Sequence, residues 1–222
     1  MADVQVLGPQ FSNFVRSVLL CCEEKGVSSS YGLAFDGVEI PFKSEAHFAL
    51  HPFGKVPVLK HENRYLIETA TICRYIDNVF PGTSLQPEDL YERASVDQWS
   101  HLIAGYIDQA LVREYLLEFA FPKGENGAIR MDVVAQQQPK VMEVLQLLET
   151  QLAEKAFICG ERYTIADALL TPMLDYIAGL PHGETLISPQ SSLYGYVQRM
   201  RERPSGQKVL ISAQPLKKPS VS

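Results

Sequence analysis

Three segments of the chain combine residue types that can hold an anion, an extended peptide and an amino-acid group. In Gly8-Pro9-Gln10-Phe11-Ser12-Asn13-Phe14-Val15-Arg16 a strand-like run passes through a tight loop into a helical pattern. Ser12 stands where a cap hydroxyl accepts a first-turn N–H, and taken alone the segment reads as a cap. The same position is the positive end of a helix dipole, where a hydroxyl and free N–H groups can stabilise a thiolate. Asn13 is the next donor in that loop. In His51-Pro52-Phe53-Gly54-Lys55-Val56-Pro57-Val58-Leu59, Pro57 stands just before a strand-like run, where it cannot donate to a central ladder. A cis Val56–Pro57 bond faces the Val56 N–H and C=O outward, a free edge on which a peptide-like ligand can add as a strand. A trans bond leaves an ordinary loop proline. In Tyr65-Leu66-Ile67-Glu68-Thr69-Ala70-Thr71-Ile72, Glu68 and Thr69 precede a helical pattern, and one of them reads as a cap. With the helix N–H groups, the Thr69 hydroxyl can hold a carboxylate while Glu68 holds an ammonium. That pair of charges is the amino-acid end of a ligand.

The elements that must position these residues alternate over the first eighty. Val4 to Leu7 reads as a buried strand, and the apolar positions Phe14, Val15, Val18, Leu19 and Cys22 as a helix ending at Gly26. Ser29 to Phe35 reads as a second strand, and Phe42 to Leu50 as a short or irregular helix. Val56 to Leu59 and Tyr65 to Ile67 flank the turn residues Glu62-Asn63, and Thr69 to Val79 is helical. The order βαβαββα implies a sheet with helices on its faces. Phe80-Pro81-Gly82-Thr83 and Leu85-Gln86-Pro87 read as a linker. Beyond it the chain is all-helical: Leu90 to Phe121, a stripe of Val141, Val144, Leu145, Leu147, Leu148 and Leu152, then Thr164 to Ala178 and Ser192 to Arg203. The expected division is therefore an α/β domain over 1–81, an all-α bundle over 88–211, and a mobile tail over 212–222.

Composition narrows the function classes. The 222 residues carry 20 Lys and Arg against 26 Asp and Glu, a net charge of -6, which argues against holding a nucleic-acid backbone by bulk charge. A hydrophobic share of 46% with 21% charged residues is that of a folded chain. Cys21, Cys22, Cys73 and Cys159 form no C-x-x-C and no zinc spacing, and read as small apolar residues. No apolar run reaches the ~18 residues of a membrane span, and Met1-Ala2-Asp3-Val4 lacks the layout of a signal peptide. The expectation is a cytoplasmic protein with no membrane, metal or nucleotide site.

Taken together, the three segments resemble the soluble branch of the glutathione transferase superfamily, and the likeness runs over nearly the whole chain. A fourth segment, Phe157-Ile158-Cys159-Gly160-Glu161-Arg162-Tyr163-Thr164-Ile165-Ala166-Asp167, is similar to that family's buried capping box, with Thr164 and Asp167 as its two ends and Asp in place of the usual Glu. The resemblance implies a thioredoxin-like first domain followed by the helical bundle. It implies that Glu68 and Thr69 hold the γ-glutamyl end of glutathione, and that the Val56 backbone before cis Pro57 pairs with its cysteinyl part. It implies that Lys43 and Lys55 attract the glycyl carboxylate. Lys43 belongs to Phe42-Lys43-Ser44-Glu45-Ala46-His47, which looks like the matching segment of phi-type members, and for both lysines a solvated side chain is the other role open. Ser12 matches the position of the hydroxyl that donates to the glutathione sulfur, and Asn13 is the second candidate. No cysteine occupies that position, which weighs against the glutaredoxin-like members.

The resemblance also implies a second substrate between the halves, an apolar electrophile, with Phe11, Ile103, Tyr106 and Tyr115 as candidates for its wall; on a long helix such residues equally fill a core. It implies a homodimer and glutathione as co-substrate. Three functions compete: conjugation of glutathione to an electrophile, glutathione-dependent reduction of a disulfide or peroxide, and a non-catalytic interaction role.

Overall fold

A computed structural model describes residues 3–210, so the tail expected over 212–222 lies outside the described residues. The first element, β1 (Val4–Leu7), runs through Gly8 to Ser12 into α1 (Asn13–Lys25). Ser12 is the N-cap in extended conformation, and the helix ends on Gly26 with φ 73°. There the Gly26 N–H donates to Glu23 O and the Val27 N–H to Cys22 O, which satisfies the last carbonyls in a Schellman motif. Then follow β2 (Ser29–Gly32), β3 (Ala34–Phe35), β4 (Val38–Glu39), α2 (Glu45–Leu50), β5 (Val58–His61), β6 (Arg64–Leu66) and α3 (Thr69–Val79).

Four strands form one mixed sheet in the order β2-β1-β5-β6. β2 is parallel to β1, while β5 and β6 run antiparallel to their neighbours. The single strand expected over Ser29–Phe35 is corrected. It stops at Gly32, and Ala34–Phe35 pairs with Val38–Glu39 in a separate hairpin across Asp36-Gly37. Both turn residues have positive φ, 50° and 78°, the conformation for which Asp-Gly is favoured.

The helical half begins with α4 (Leu90–Leu102), capped by Asp89, which accepts from the Tyr91 and Glu92 N–H groups. The helix then widens into π-helical turns over Ile103–Ile107 and Gln109–Leu116 before α5 (Leu117–Ala120). Asp108 sits at the junction of the two widened stretches. The remaining helices are α6 (Met131–Leu152), α7 (Ile165–Ala178), α8 (Gly183–Leu186), α9 (Ser192–Glu202) and α10 (Pro204–Val209). Of the stripe expected on α6, Leu147 is 51% exposed, whereas Val141, Val144, Leu145, Leu148 and Leu152 are buried.

One apolar core runs through both halves, joining Val18, Leu20 and Ile72 to Trp99, Leu169 and Met173. Its axis is the packing of α1 on α7. The segment that reads as a linker is docked rather than loose. Leu85 is buried, and its N–H donates to Asp77 Oδ1 at 2.8 Å. Asp77 also pairs with the buried Lys25 ammonium at 2.9 Å, which in turn donates to the Gly82 and Thr83 carbonyls.

Candidate functional site

Gly8 brings the first two segments together. At φ 145° it adopts backbone that L side chains avoid, and a Cβ there would meet Val15 Cγ2 at 2.5 Å and Val56 Cβ at 3.0 Å. The loop leading to Ser12 and the loop leading to Pro57 therefore lie against each other. The Val56–Pro57 bond is cis. Among the described residues neither the N–H nor the C=O of Val56 takes a hydrogen-bond partner, so this stretch is free to pair with an extended ligand.

Ser12 is half-buried, and its Oγ accepts from the Val15 N–H at 3.4 Å, a long bond for a cap. Within the described hydrogen bonds the hydroxyl proton of Ser12 is not engaged, so it can be given to a ligand atom at the helix end. The loop is braced from the helical half. The Phe11 carbonyl accepts from the Tyr176 hydroxyl at 2.7 Å. The Gln10 carbonyl accepts from Arg16 Nε at 2.9 Å, and the buried Arg16 guanidinium stacks 4.6 Å from the Tyr176 ring centre with Asp175 3.7 Å away.

Asn13 is placed otherwise. It is 7% exposed, and its amide donates to Asp108 Oδ1 at 3.0 Å, across 95 residues of sequence. Arg113 Nε donates to the other Asp108 oxygen at 2.7 Å, and its guanidinium lies over the Phe14 ring. Burial pushes the Asp108 carboxyl above its ordinary value, against the pull of Arg113 and Asn13. Asn13 thus ties the start of α1 to the helical half. Asn13→Ala strands one oxygen of a buried carboxylate and is expected to destabilise the protein by about 1–3 kcal/mol, read by chemical denaturation. A variant as stable as the parent would show that this bond carries nothing.

Glu68 precedes α3 with φ 68°, in the left-handed region, which a glutamate adopts at a strain of order 1–3 kcal/mol. Its side chain makes no cap bond, and it is exposed beside the buried Thr69. The first intrahelical bond of α3 runs from the Ile72 N–H to the Glu68 carbonyl, so the N–H groups ahead of it lack helical acceptors. Positive potential and a carboxylate stand side by side, which suits a zwitterion.

Lys43 and Lys55 are both exposed. They are linked through His47, which is 1% exposed. His51 is also buried, and its ring accepts from the Phe53 N–H at 3.2 Å. Burial holds the His51 imidazole below its ordinary value, against the opposing charge of Glu68. Sequence reasoning missed His47, His51 and Asp108. The first two lie within the quoted segments, and their ring partners stand at most eight residues away.

The apolar wall is rearranged. Phe11 is 60% exposed and stacks with Phe121 at 6.0 Å between centroids, and Tyr106 is 78% exposed. Ile103 and Tyr115 are fully buried, and the Tyr115 hydroxyl meets His182 Nε2 at 2.7 Å. These two pack in the core rather than line an open wall. Phe121, the ring partner of Phe11, is itself exposed. The cysteines lie elsewhere: burial pushes the Cys22 thiol up and that of Cys159 to about 12, so neither is a ready nucleophile. No described helix is long and apolar enough to cross a membrane.

Residues 8–84 match the family model "Glutathione S-transferase, N-terminal domain", and residues 109–204 match "Glutathione S-transferase, C-terminal domain". A "Probable glutathione S-transferase" of Nicotiana tabacum is 30% identical over 170 residues, covering 75% of this chain and 68% of the relative. The chain belongs to the glutathione S-transferase family. Glutathione S-transferase F12 of Arabidopsis thaliana is 28% identical over 218 residues, 95% of this chain and 98% of the relative. Among solved structures, glutathione S-transferase I from maize, in complex with an atrazine glutathione conjugate, superposes with a TM-score of 0.80 at 26% identity and covers 99% of this chain and 100% of that one. The mixed-sheet half and the helical half of this glutathione S-transferase family member are those of the family's fold.

Proposed function

We propose that this protein binds glutathione, stabilises its thiolate and conjugates it to an electrophilic small molecule. The sulfur forms a bond to the electrophilic carbon, and the electron pair leaves with the displaced group or is protonated after addition. The observation that carries this reading is the Ser12 hydroxyl at the start of α1, at the end of the loop whose Gly8 lies beside Val56. Glu68 and Thr69 take the γ-glutamyl ammonium and carboxylate, Val56 before Pro57 pairs with the cysteinyl unit, and Lys43 and Lys55 take the glycyl carboxylate. Ser12 donates to the sulfur. Asn13, committed to Asp108, supports the loop rather than the sulfur.

Bringing a thiol from about 8.5 to about 6.5 requires ~2.7 kcal/mol of preference for the thiolate. A charge-assisted hydrogen bond of ~1.5–3 kcal/mol with a helix end of ~0.3–1 kcal/mol supplies it. The electrophile meets Phe11, Tyr106 and Phe121 on the side of the helical half. The same reading divides the chain into a glutathione-binding domain over 1–81 and a helical domain over 88–211, and makes it a cytoplasmic homodimer. Leu90 and Tyr91, exposed on the first turn of α4, offer apolar surface to a second copy.

The test is a calorimetric titration with glutathione, joined to ultraviolet absorbance of the bound thiolate against pH. Binding with thiolate persisting well below the ordinary thiol range is expected. No binding at millimolar glutathione overturns the enzyme reading and points to a protein partner. Turnover of a dithiol–disulfide substrate without conjugation moves the reaction to reduction.

A further inference from the structure

Lys43 and Lys55 are twelve positions apart, yet one buried ring holds the backbone of both. His47 Nδ1 accepts the Lys43 N–H at 3.0 Å, and His47 Nε2 lies 2.9 Å from the Lys55 carbonyl oxygen. The partners fix the tautomer. A backbone N–H only donates and a carbonyl only accepts, so Nδ1 carries the lone pair and Nε2 the proton. A single neutral imidazole therefore satisfies both, and with 1% exposure it reaches no ligand itself.

The clamp acts on exposed backbone. Lys43 has φ 61°, in the left-handed region, and the chain around it is exposed. The Ser44 hydroxyl caps α2 by accepting the His47 N–H at 3.2 Å, which keeps the ring at a fixed height beneath the two loops. The Phe42 ring packs against the imidazole at 5.3 Å between centroids. The His51 N–H closes α2 on the His47 carbonyl at 2.9 Å, so the start of the Lys55 loop hangs from the same residue.

We infer that His47 is a positioning residue that sets the spacing of the Lys43 and Lys55 ammonium groups, and so the affinity for the carboxylate at the glycyl end of glutathione. The inference rests on the glutathione reading and adds to it a residue that touches no part of the ligand. Two long cations on untethered loops lose conformational freedom on gripping one carboxylate; a preset spacing removes part of that loss.

The experiment compares glutathione with γ-glutamylcysteine, which lacks the glycine and its carboxylate, by calorimetry on the full chain. His47→Ala is expected to weaken glutathione about tenfold, a change of ~1.4 kcal/mol, and γ-glutamylcysteine by less than about twofold. It should also flatten the salt dependence of glutathione binding, because the charged contact is the one lost. Two further variants split the clamp. His47→Asn keeps an acceptor near the Nδ1 position for Lys43, and His47→Gln keeps a donor near the Nε2 position for Lys55. Each is expected to lose about half of the effect in free energy, roughly threefold. If the alanine variant does not fold, these two space-filling variants decide. Equal weakening of both peptides, or no weakening of either, overturns the inference while leaving glutathione binding intact. A parent chain that binds neither peptide overturns the glutathione reading first, and the inference with it.

Discussion

Ser12→Ala is expected to slow conjugation by roughly 10- to 150-fold, the rate equivalent of the ~1.5–3 kcal/mol that a charge-assisted hydrogen bond contributes. The loss should fall on the thiol rather than on binding. Glu68, Thr69 and Val56 stand on other loops and keep their geometry, so glutathione affinity should stay within a few-fold. The absorbance of bound thiolate should shift to higher pH. Stability should hardly change, because the cap bond that Ser12 accepts from Val15 is already long at 3.4 Å. An unchanged rate with unchanged thiolate absorbance would remove Ser12 from the reaction. If the rate instead collapses in Asn13→Ala with no loss of stability, the donor is Asn13, and its tie to Asp108 must break when ligand enters.

The second large effect is structural. Asp167 is fully buried and accepts four hydrogen bonds. Oδ2 takes the Thr164 N–H and hydroxyl, both at 2.8 Å, and Oδ1 takes the Ile158 N–H at 2.9 Å and the Tyr196 hydroxyl at 3.0 Å. Asp167→Ala leaves these donors without a partner in the core and is expected to destabilise the protein by about 3–5 kcal/mol, enough to reduce soluble yield. Asp167→Asn should fall between, since an amide oxygen serves one pair while its NH2 faces the Thr164 N–H. Burial raises the Asp167 carboxyl above its ordinary value, and the hydrogen bonds only partly offset this. The folded state then keeps the proton at a pH where the unfolded chain has released it. This contribution is whole below the ordinary carboxylate range and is lost as pH rises through the raised value. Denaturation series across that window should show a declining slope in the parent that is absent from the asparagine variant. Parallel pH profiles would disprove the assignment.

What the sequence disclosed follows from how local each signal is. The limits of α1 are written in Ser12 and Gly26, and those of α3 in the Glu68-Thr69 pair and the change of pattern at Phe80. The turn at Glu62-Asn63 is a neighbour effect and was legible for the same reason. The hairpin over 34–39 was hidden because two-residue strands carry no periodicity, although Asp36-Gly37 announces its turn. Ile103 and Tyr115 are wall candidates through the family resemblance alone, and of the two roles open to them on a long helix they take the core. The site divides in the same way. Loops with proline, glycine or a cap could be found from their composition. The Asn13–Asp108 bond spans 95 residues and depends on tertiary packing, while the His47 clamp is local but joins a side chain to backbone, which leaves no mark on apolar spacing.

The packing of α1 on α7 has a consequence for how such chains can be recombined. The helix that opens at Ser12 is packed against α7, so the floor of one half is the ceiling of the other. A chimera that joins the first eighty residues to the helical half of a relative at about 28% identity inherits mismatched shapes along that seam. Its defect should appear at the far end of the lever, in the Phe11 and Gln10 carbonyls that Tyr176 and Arg16 hold. Transplanting α7 together with the first half should restore function where exchange at the Pro81–Pro87 segment does not. The natural unit of exchange in this molecule is thus set by a helix pair, not by the boundary visible in its composition.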